Sequence, residues 1–329
     1  MSIPNETDFN FRDSYNVVAG VSMALVSMIG IPSNAIIVYV YFKNSSEKTS
    51  FNTLNVTRAT ASLYILILLY LMVFIPTAFV GFMPYLSVPT VTIIISLGMA
   101  LYAVNENQTL LTALNRFCAL YFPFYYSRLC GMKLTVLLLF ILWTYRLGKV
   151  IIPILLIDLS ENDCWNYFSP YYLTWTITNA STCMAHDDSI LVALEIFALT
   201  TVINIATFSK VLYFYRNKSR SDAVSRRNEK RNIILFFQTV LQDFLYVIDF
   251  TFTFYFSSLI NHRLWTFLSG SLIWQLIHAI DGVIMIIFND KITFLKRCFS
   301  KGPVLSEPQS TPHSEMKRHS ISAALATIN

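Results

Sequence analysis

Seven long stretches of mainly apolar residues run along the chain, at 17–42, 56–80, 91–122, 134–157, 189–214, 232–258 and 265–289. Each is long enough for a helix to cross the roughly 30 Å hydrocarbon layer of a bilayer, which takes about 20 residues. Polar or charged breaks separate them, and none alternates in the ten-residue manner of a transmembrane β-strand. Lipid offers the backbone no water to bond, so helices are the consistent reading. The pattern predicts an all-α membrane protein, a seven-transmembrane helix bundle. The third stretch carries Asn105, Glu106, Asn107 and Gln108 in its middle. Its length predicts a tilted helix that reaches beyond the bilayer.

Composition narrows the picture. Of 329 residues, 55% are hydrophobic and 13% charged, against roughly 25% charged in soluble domains. A soluble fold could not hide that much apolar surface, and a disordered chain would carry more charge. The lysines and arginines are unevenly placed. The first, third and fifth connections hold Lys43, Lys48, Arg128, Lys133 and the basic run from Arg216 to Arg231. The opposite connections hold only Arg12 and Arg263, with acidic residues such as Asp8, Asp13, Asp158, Glu161 and Asp188. By the positive-inside rule the N-terminus is expected outside and the C-terminus inside. The net charge of +5 then belongs to the cytoplasmic face and implies no nucleic-acid partner. The expected organisation is an extracellular segment 1–16, a seven-helix domain 17–290, and a cytoplasmic segment 291–329 with an amphipathic start and a disordered tail. The first sixteen residues are polar and carry no signal-peptide pattern, so the first stretch is expected to act as a signal anchor.

This topology sorts the modification sites. Asn5 and Asn179 head sequons on the outer face and are expected to be glycosylated. The sequons at Asn44, Asn55, Asn107 and Asn217 fall on the wrong side or in the membrane and are read as chance matches. Cys164 and Cys183 lie in the outer connection 158–188 and are expected to pair, contributing roughly 3 kcal/mol by loop closure. Cys118, Cys130 and Cys298 sit at inner ends, where thiols stay reduced. No cysteine or histidine cluster has metal-site spacing, so neither a metal nor another cofactor is expected.

Ionisable groups within lipid are costly and need partners or water. Glu106, Arg146, Lys149, Glu195, Asp243, Asp249 and Asp281 lie inside the spans. Helix rise and side-chain direction bring Glu106 towards Arg146, and Lys149 towards Glu195 nearer the outer side. Two ion pairs are expected. Gln238, Gln242 and Asp249 form a polar stripe on the sixth helix, and Trp274, His278, Asp281 and Met285 form one on the seventh. The two stripes are expected to face each other, with Asp281 and Asn34 as the polar centre.

Several strings carry a family resemblance. Asn115-Arg116-Phe117, seven residues ahead of Pro123 at the arginine, resembles the Asp-Arg-Tyr region of rhodopsin-like G-protein-coupled receptors. Asn34 in the first span, and Asp281-Gly-Val-Ile-Met285 followed by an amphipathic Lys291–Phe299 in the seventh, resemble two further marks of that class. LNRFCALYFPFYY, NIILFFQTVLQDFLYVIDFTFTF and WQLIHAIDGVIMIIFN, with the outer loop through Cys164, Trp175, Cys183 and Asp187, resemble nematode serpentine receptors of class X over about residues 17–300. The resemblance implies a rhodopsin-like chemosensory receptor in the plasma membrane, in sensory neuron cilia, with a small-molecule ligand and a heterotrimeric G protein as partners. It implies a switch at Asn115, Arg116 and Phe117, and Glu229 at the start of the sixth helix could restrain Arg116. Gly98, Tyr102, Trp175, Trp265, Ser271, Trp274 and His278 are the ligand contacts expected in the outer half, suited to a moderately apolar molecule. Cys298 is a palmitoylation candidate. Four class features are missing: the acid before Arg116, the kink proline of the sixth span, a proline where Gly282 stands in the seventh, and a cysteine at the outer start of the third.

No Ser/His/Asp, paired-carboxylate or phosphate-loop pattern suggests an enzyme. The seventh span has no lysine for a retinal Schiff base, and no repeat between the halves suggests a transporter. The alternative is an odorant-gated channel subunit, which would have its N-terminus inside.

Overall fold

The computed structural model describes residues 13–81, 86–156, 164–178, 189–216 and 223–289. The chain divides into two units, Met1–Ile292 and Thr293–Asn329, the second lying wholly outside the described residues. Seven helices are long and apolar enough to cross a membrane. They are α1 (Ser14–Lys43), α2 (Ser50–Val80), α3 (Val88–Tyr121), α4 (Met132–Leu156), α5 (Ser189–Arg216), α6 (Ala223–Phe254) and α7 (Arg263–Phe288). Consecutive helices run in alternate directions, so one end of the bundle holds the start of α1 and the other holds the start of α2.

Local chemistry explains the helix boundaries. Asp13, Thr49 and Ser87 each accept a hydrogen bond from a first-turn N–H of α1, α2 and α3, satisfying donors that a helix start leaves orphaned. Gly81 ends α2 in the left-handed region at φ 87°, a conformation a glycine takes without steric cost. Inside α2, residues 65, 66, 69, 70, 73 and 74 are all fully buried. That four-residue repeat would drift by about 40° per step around an α-helix. The backbone of Ile65–Phe74 winds instead as a π-helix, and all six of these side chains are buried. A second π-helical stretch, Phe267–Leu272, opens α7.

Packing is uneven around the bundle. Of an 18-residue apolar stretch of the seventh span 56% is buried inside the protein, against 11% of such a stretch in the fourth. The surface of α4 is apolar, with Val136, Leu137, Phe140 and Ile141 exposed, as lipid contact requires. Helix α1 packs on α2 and α7, α3 packs on α4 and α5, and α6 packs on α7.

The connection after α4 holds an antiparallel hairpin, β1 (Asn166–Ser169) with β2 (Thr174–Ile177), in register Asn166 to Ile177 and Ser169 to Thr174. The hairpin lies against the bundle end where α1 begins. Phe168 stacks on Phe74 at 4.5 Å, and Leu173 is fully buried in the core. Leu173 takes φ 57°, unfavourable for a branched residue, and its burial among α2 and α7 residues offsets that cost. Asn166 donates to the Ser96 hydroxyl at 3.0 Å and pairs through its backbone with Thr92. These polar contacts tie the hairpin to α3, which lacks a cysteine there. Cys164 is disulfide-bonded; Cys183, its expected partner, lies outside the described residues, as do Asn5, Asn179 and Cys298.

Candidate functional site

A polar seam runs between α2 and α7. On α2, Phe51, Arg58 and Ser62 stand at i, i+7 and i+11, one face of a helix. On α7, Trp274, His278, Asp281 and Met285 follow the same rule, and the helices are antiparallel. Arg58 therefore meets Asp281, Nε to Oδ2 at 2.9 Å, with exposures of 2% and 0%. The contact is a close approach of charges rather than a well-aligned hydrogen bond. Ser62 meets His278 at Nδ1, 3.2 Å away.

Neighbouring helices complete the seam. Gln242 of α6 donates to Asp281 at 2.8 Å, and Gln238 donates to Gln242 at 3.4 Å, so the two polar stripes do face each other. The Arg58 guanidinium lies 4.9 Å from the Tyr246 ring and feels the charge of Asp243, which accepts from Asn204 of α5 at 2.9 Å. Asn34 donates to the carbonyls of Gly30 and His278, both at 2.9 Å. That approach needs Gly282, since a Cβ there would sit 2.7 Å from Asn34 Nδ2. Gln275 donates to the Met23 carbonyl and the Ser27 hydroxyl of α1 at 2.7 and 2.8 Å. Removing one partner from a buried ion pair such as Arg58–Asp281 costs about 3–5 kcal/mol, because the other charge is stranded.

Nearer the hairpin end lies a second cluster. Tyr102 of α3 donates to Asp249 Oδ2 of α6 at 2.5 Å, and Thr253 donates to Oδ1 at 3.3 Å. The Tyr102 ring neighbours Tyr246, Trp274 and His278 at 5.8, 5.9 and 6.1 Å between centroids. Ser271 links this region to the hairpin by donating to the Leu173 carbonyl at 3.1 Å, and its own carbonyl accepts from Tyr70 at 2.6 Å.

At the other end, Arg116 is 5% exposed and its guanidinium covers the Phe51 ring at 3.3 Å. Asn115 accepts from Tyr126 at 3.2 Å, Phe117 stacks on Tyr121 at 4.4 Å, and Tyr121 donates to the Ala206 carbonyl of α5 at 2.9 Å. The Glu229 side chain lies outside the described residues. Cys118 and Cys130 are free thiols.

Several expectations need correction. Glu106 is buried at 7% and feels Arg146 electrostatically, but the two form no ion pair; Arg146 instead lies 5.9 Å from the Tyr145 ring. Lys149 and Glu195 are both exposed and do not pair, because α5 packs along α3 rather than beside α4. Lys149 lies 5.7 Å from the same Tyr145 ring. Gly98 faces Leu69, where a Cβ would meet Cδ2 at 3.1 Å, so it serves the close approach of α3 to α2. Trp265 donates to the Phe256 carbonyl at 2.7 Å and clamps the α6–α7 connection. Trp175 packs partly buried on the core, while the rings of Tyr102, Trp274 and His278 neighbour one another.

Arg58, Ser62, Tyr246 and Gln275 belong to the site although the sequence reading passed over them. Arg58 carried a usable signal: it is a cation inside the second apolar stretch, and it required an anion at matching depth. Asp281 was the nearest such group on a neighbouring polar stripe.

With this geometry in hand, likeness to known proteins becomes interpretable. Residues 24–289 match the family described as "Serpentine type 7TM GPCR chemoreceptor Srx". The chain is 25% identical over 308 residues to "Serpentine receptor class X 45" of Caenorhabditis elegans, in an alignment covering 85% of this chain and 81% of the relative.

Proposed function

Because the chain belongs to the class X family of serpentine seven-transmembrane G-protein-coupled chemoreceptors, we propose that it binds a small molecule at the hairpin end of the bundle and activates a heterotrimeric G protein at the other. In this reading the hairpin end faces outward, as the skewed lysines and arginines favour. The protein acts in the plasma membrane, in sensory neuron cilia, as the family's sensory role suggests. The outer connection is closed by Cys164 with Cys183, Asn5 and Asn179 carry glycans, and Cys298 carries a palmitoyl chain.

One observation supports the reading most directly: contacts run from the hairpin to Ser62, on a face of α2 that leads to Phe51 under Arg116. Leu173 bonds Ser271, Ser271 bonds Tyr70, and Tyr70 neighbours Trp274. Trp274 neighbours His278, which meets Ser62. From Ser62 the stripe continues down α2 through Arg58 to Phe51, under the Arg116 guanidinium. A shift of α6 or α7 at the ligand end would change what Gln242 and Asp281 hold and loosen the packing beneath. Asn115, Arg116 and Phe117, with the inner ends of α5 and α6, would then open to the G protein, and the basic 216–231 connection would supply complementary charge. Glu229 would restrain Arg116 at rest.

The test combines topology and signalling. An N-terminal tag should label in unpermeabilised cells, and the receptor in nanodiscs should accelerate nucleotide exchange on a heterotrimeric G protein. Arg116→Ala should lower that exchange at least several-fold, and Glu229→Gln should raise its basal level. A tag accessible only after permeabilisation would overturn the reading and favour a channel subunit of inverted topology.

A further inference from the structure

Charge inside the bundle does not balance. Arg58 stands between Asp281, at ion-pair distance, and Asp243, within electrostatic reach. Asp249 is 3% exposed, and among the described residues no cation pairs with it; its neighbours are the hydroxyls of Tyr102 and Thr253. Glu106, one turn along α3 from Tyr102, feels the charges of both Asp249 and Arg146. The carboxylates of this region therefore outnumber its cations.

The surroundings of Asp249 have a specific chemistry. The Tyr102 ring, whose hydroxyl holds Asp249, neighbours the rings of Tyr246 and Trp274. His278 adds a ring nitrogen, Nε2, that is fully buried and has no hydrogen-bond partner. Ring faces and a carboxylate attract the same ligand group, a desolvated ammonium. A buried anion without a countercharge is costly in lipid, so a cation brought by a ligand would be favoured over a neutral molecule of the same shape. An acid would be repelled by both Asp249 and Glu106.

Resting on the receptor reading above and deepening it, we propose that the ligand class is a small organic ammonium ion, held between α3, α6 and α7 with Asp249 as counterion and Tyr102, Tyr246 and Trp274 as its aromatic cage. The unpartnered His278 Nε2 takes a polar group of the ligand. The hydrogen bonds from Tyr102 and Thr253 orient the carboxylate.

Thermal stabilisation of the purified receptor in nanodiscs reads binding without any G protein. The probes are a graded series of primary amines from butylamine through phenethylamine to tryptamine. Each is matched to its neutral alcohol and its carboxylate, for example 2-phenylethanol and phenylacetate. At least one amine should stabilise the receptor with an apparent affinity tenfold or more above its alcohol, and carboxylates should not bind. Asp249→Asn keeps an oxygen for the Tyr102 hydroxyl and should erase the preference for amine over alcohol; a purely structural Asp249 would leave it intact. If that variant fails to fold, the wild-type amine-to-alcohol ratio still decides. Alcohols binding as well as amines, or no amine binding across the series, would overturn the ammonium assignment while leaving the receptor reading standing. Amine binding without nucleotide exchange on any G protein would do the reverse.

Discussion

The α2–α7 seam and the Tyr102–Asp249 cluster are neighbours in the same bundle, both buried and both polar, and they treat a carboxylate in opposite ways. Asp281 faces a guanidinium and an amide, so its charge is matched within the protein. Asp249 faces the hydroxyls of Tyr102 and Thr253, and among the described residues no cation pairs with it. A balanced buried charge acts as a fastener between helices. An unbalanced one leaves an interaction open to something from outside. The difference separates the part of the core that holds the bundle together from the part suited to recognition.

The sharpest way to break this contrast is to remove charges one at a time. Arg58→Met strands Asp281 and should cost about 3–5 kcal/mol, visible as a large fall in melting temperature and surface yield. Adding Asp281→Leu to the same protein should recover most of that loss, because two apolar side chains leave no charge uncompensated. Asp249→Asn should cost less than about 1 kcal/mol, within the usual range for a change that strands no charge. Equal losses for Arg58→Met and Asp249→Asn would erase the distinction between the two regions.

A smaller effect sharpens the account of the seam. Gly282→Ala should destabilise by about 1–3 kcal/mol, since its Cβ would displace an Asn34 amide pinned to two carbonyls. In an Asn34→Ala background the same substitution should be nearly neutral. A double-mutant cycle on melting temperature measures that coupling, and additive losses would show that Gly282 acts elsewhere.

The smallest effect lies at the bundle end, where Arg263 bridges Asp13, Asn16 and the Pro170 carbonyl at 2.6, 2.6 and 3.0 Å. Burial, the largest single influence, pushes the Asp13 carboxyl up, but its hydrogen bonds with Arg263, the Tyr15 N–H and Ser14, with the Arg263 charge, together outweigh this and hold it below its ordinary value of 3.8. A depressed pKa adds stability that is present above 3.8 and is lost as pH falls through the folded value. The pair is partly exposed, so its contribution should stay below about 1 kcal/mol. Wild type and Asp13→Asn should differ slightly in melting temperature at neutral pH and converge in strong acid. A gap that persists there would assign the effect to packing.

How much was readable beforehand depended on the kind of signal. Apolar run length placed all seven helices, because the bilayer demands one length whatever the neighbours are. Helical spacing put Gln242 and Asp281 on facing stripes, since residues at i, i+4 and i+7 share a face wherever the helix sits. The Lys149–Glu195 pair was misjudged for the same reason in reverse. Depth along two helices brought Lys149 level with Glu195, but depth carries no information about which helices touch. The π-helical turns of α2 were written in a four-residue repeat of buried side chains, a pattern that becomes visible only once burial is known. The β-hairpin was missed because its short aromatic strands draw their stability from packing on α2 and α7.

The sequence alone determined that this chain is a membrane bundle, how many times it crosses, and which family it resembles. Those properties follow from sums and spacings along one strand of polymer. Only the tertiary structure decided that Arg58 closes on Asp281, that Gly282 makes room for Asn34, and that Asp249 meets the hydroxyls of Tyr102 and Thr253. Those facts depend on which helix faces are pressed together, and a face gains its partner only through packing.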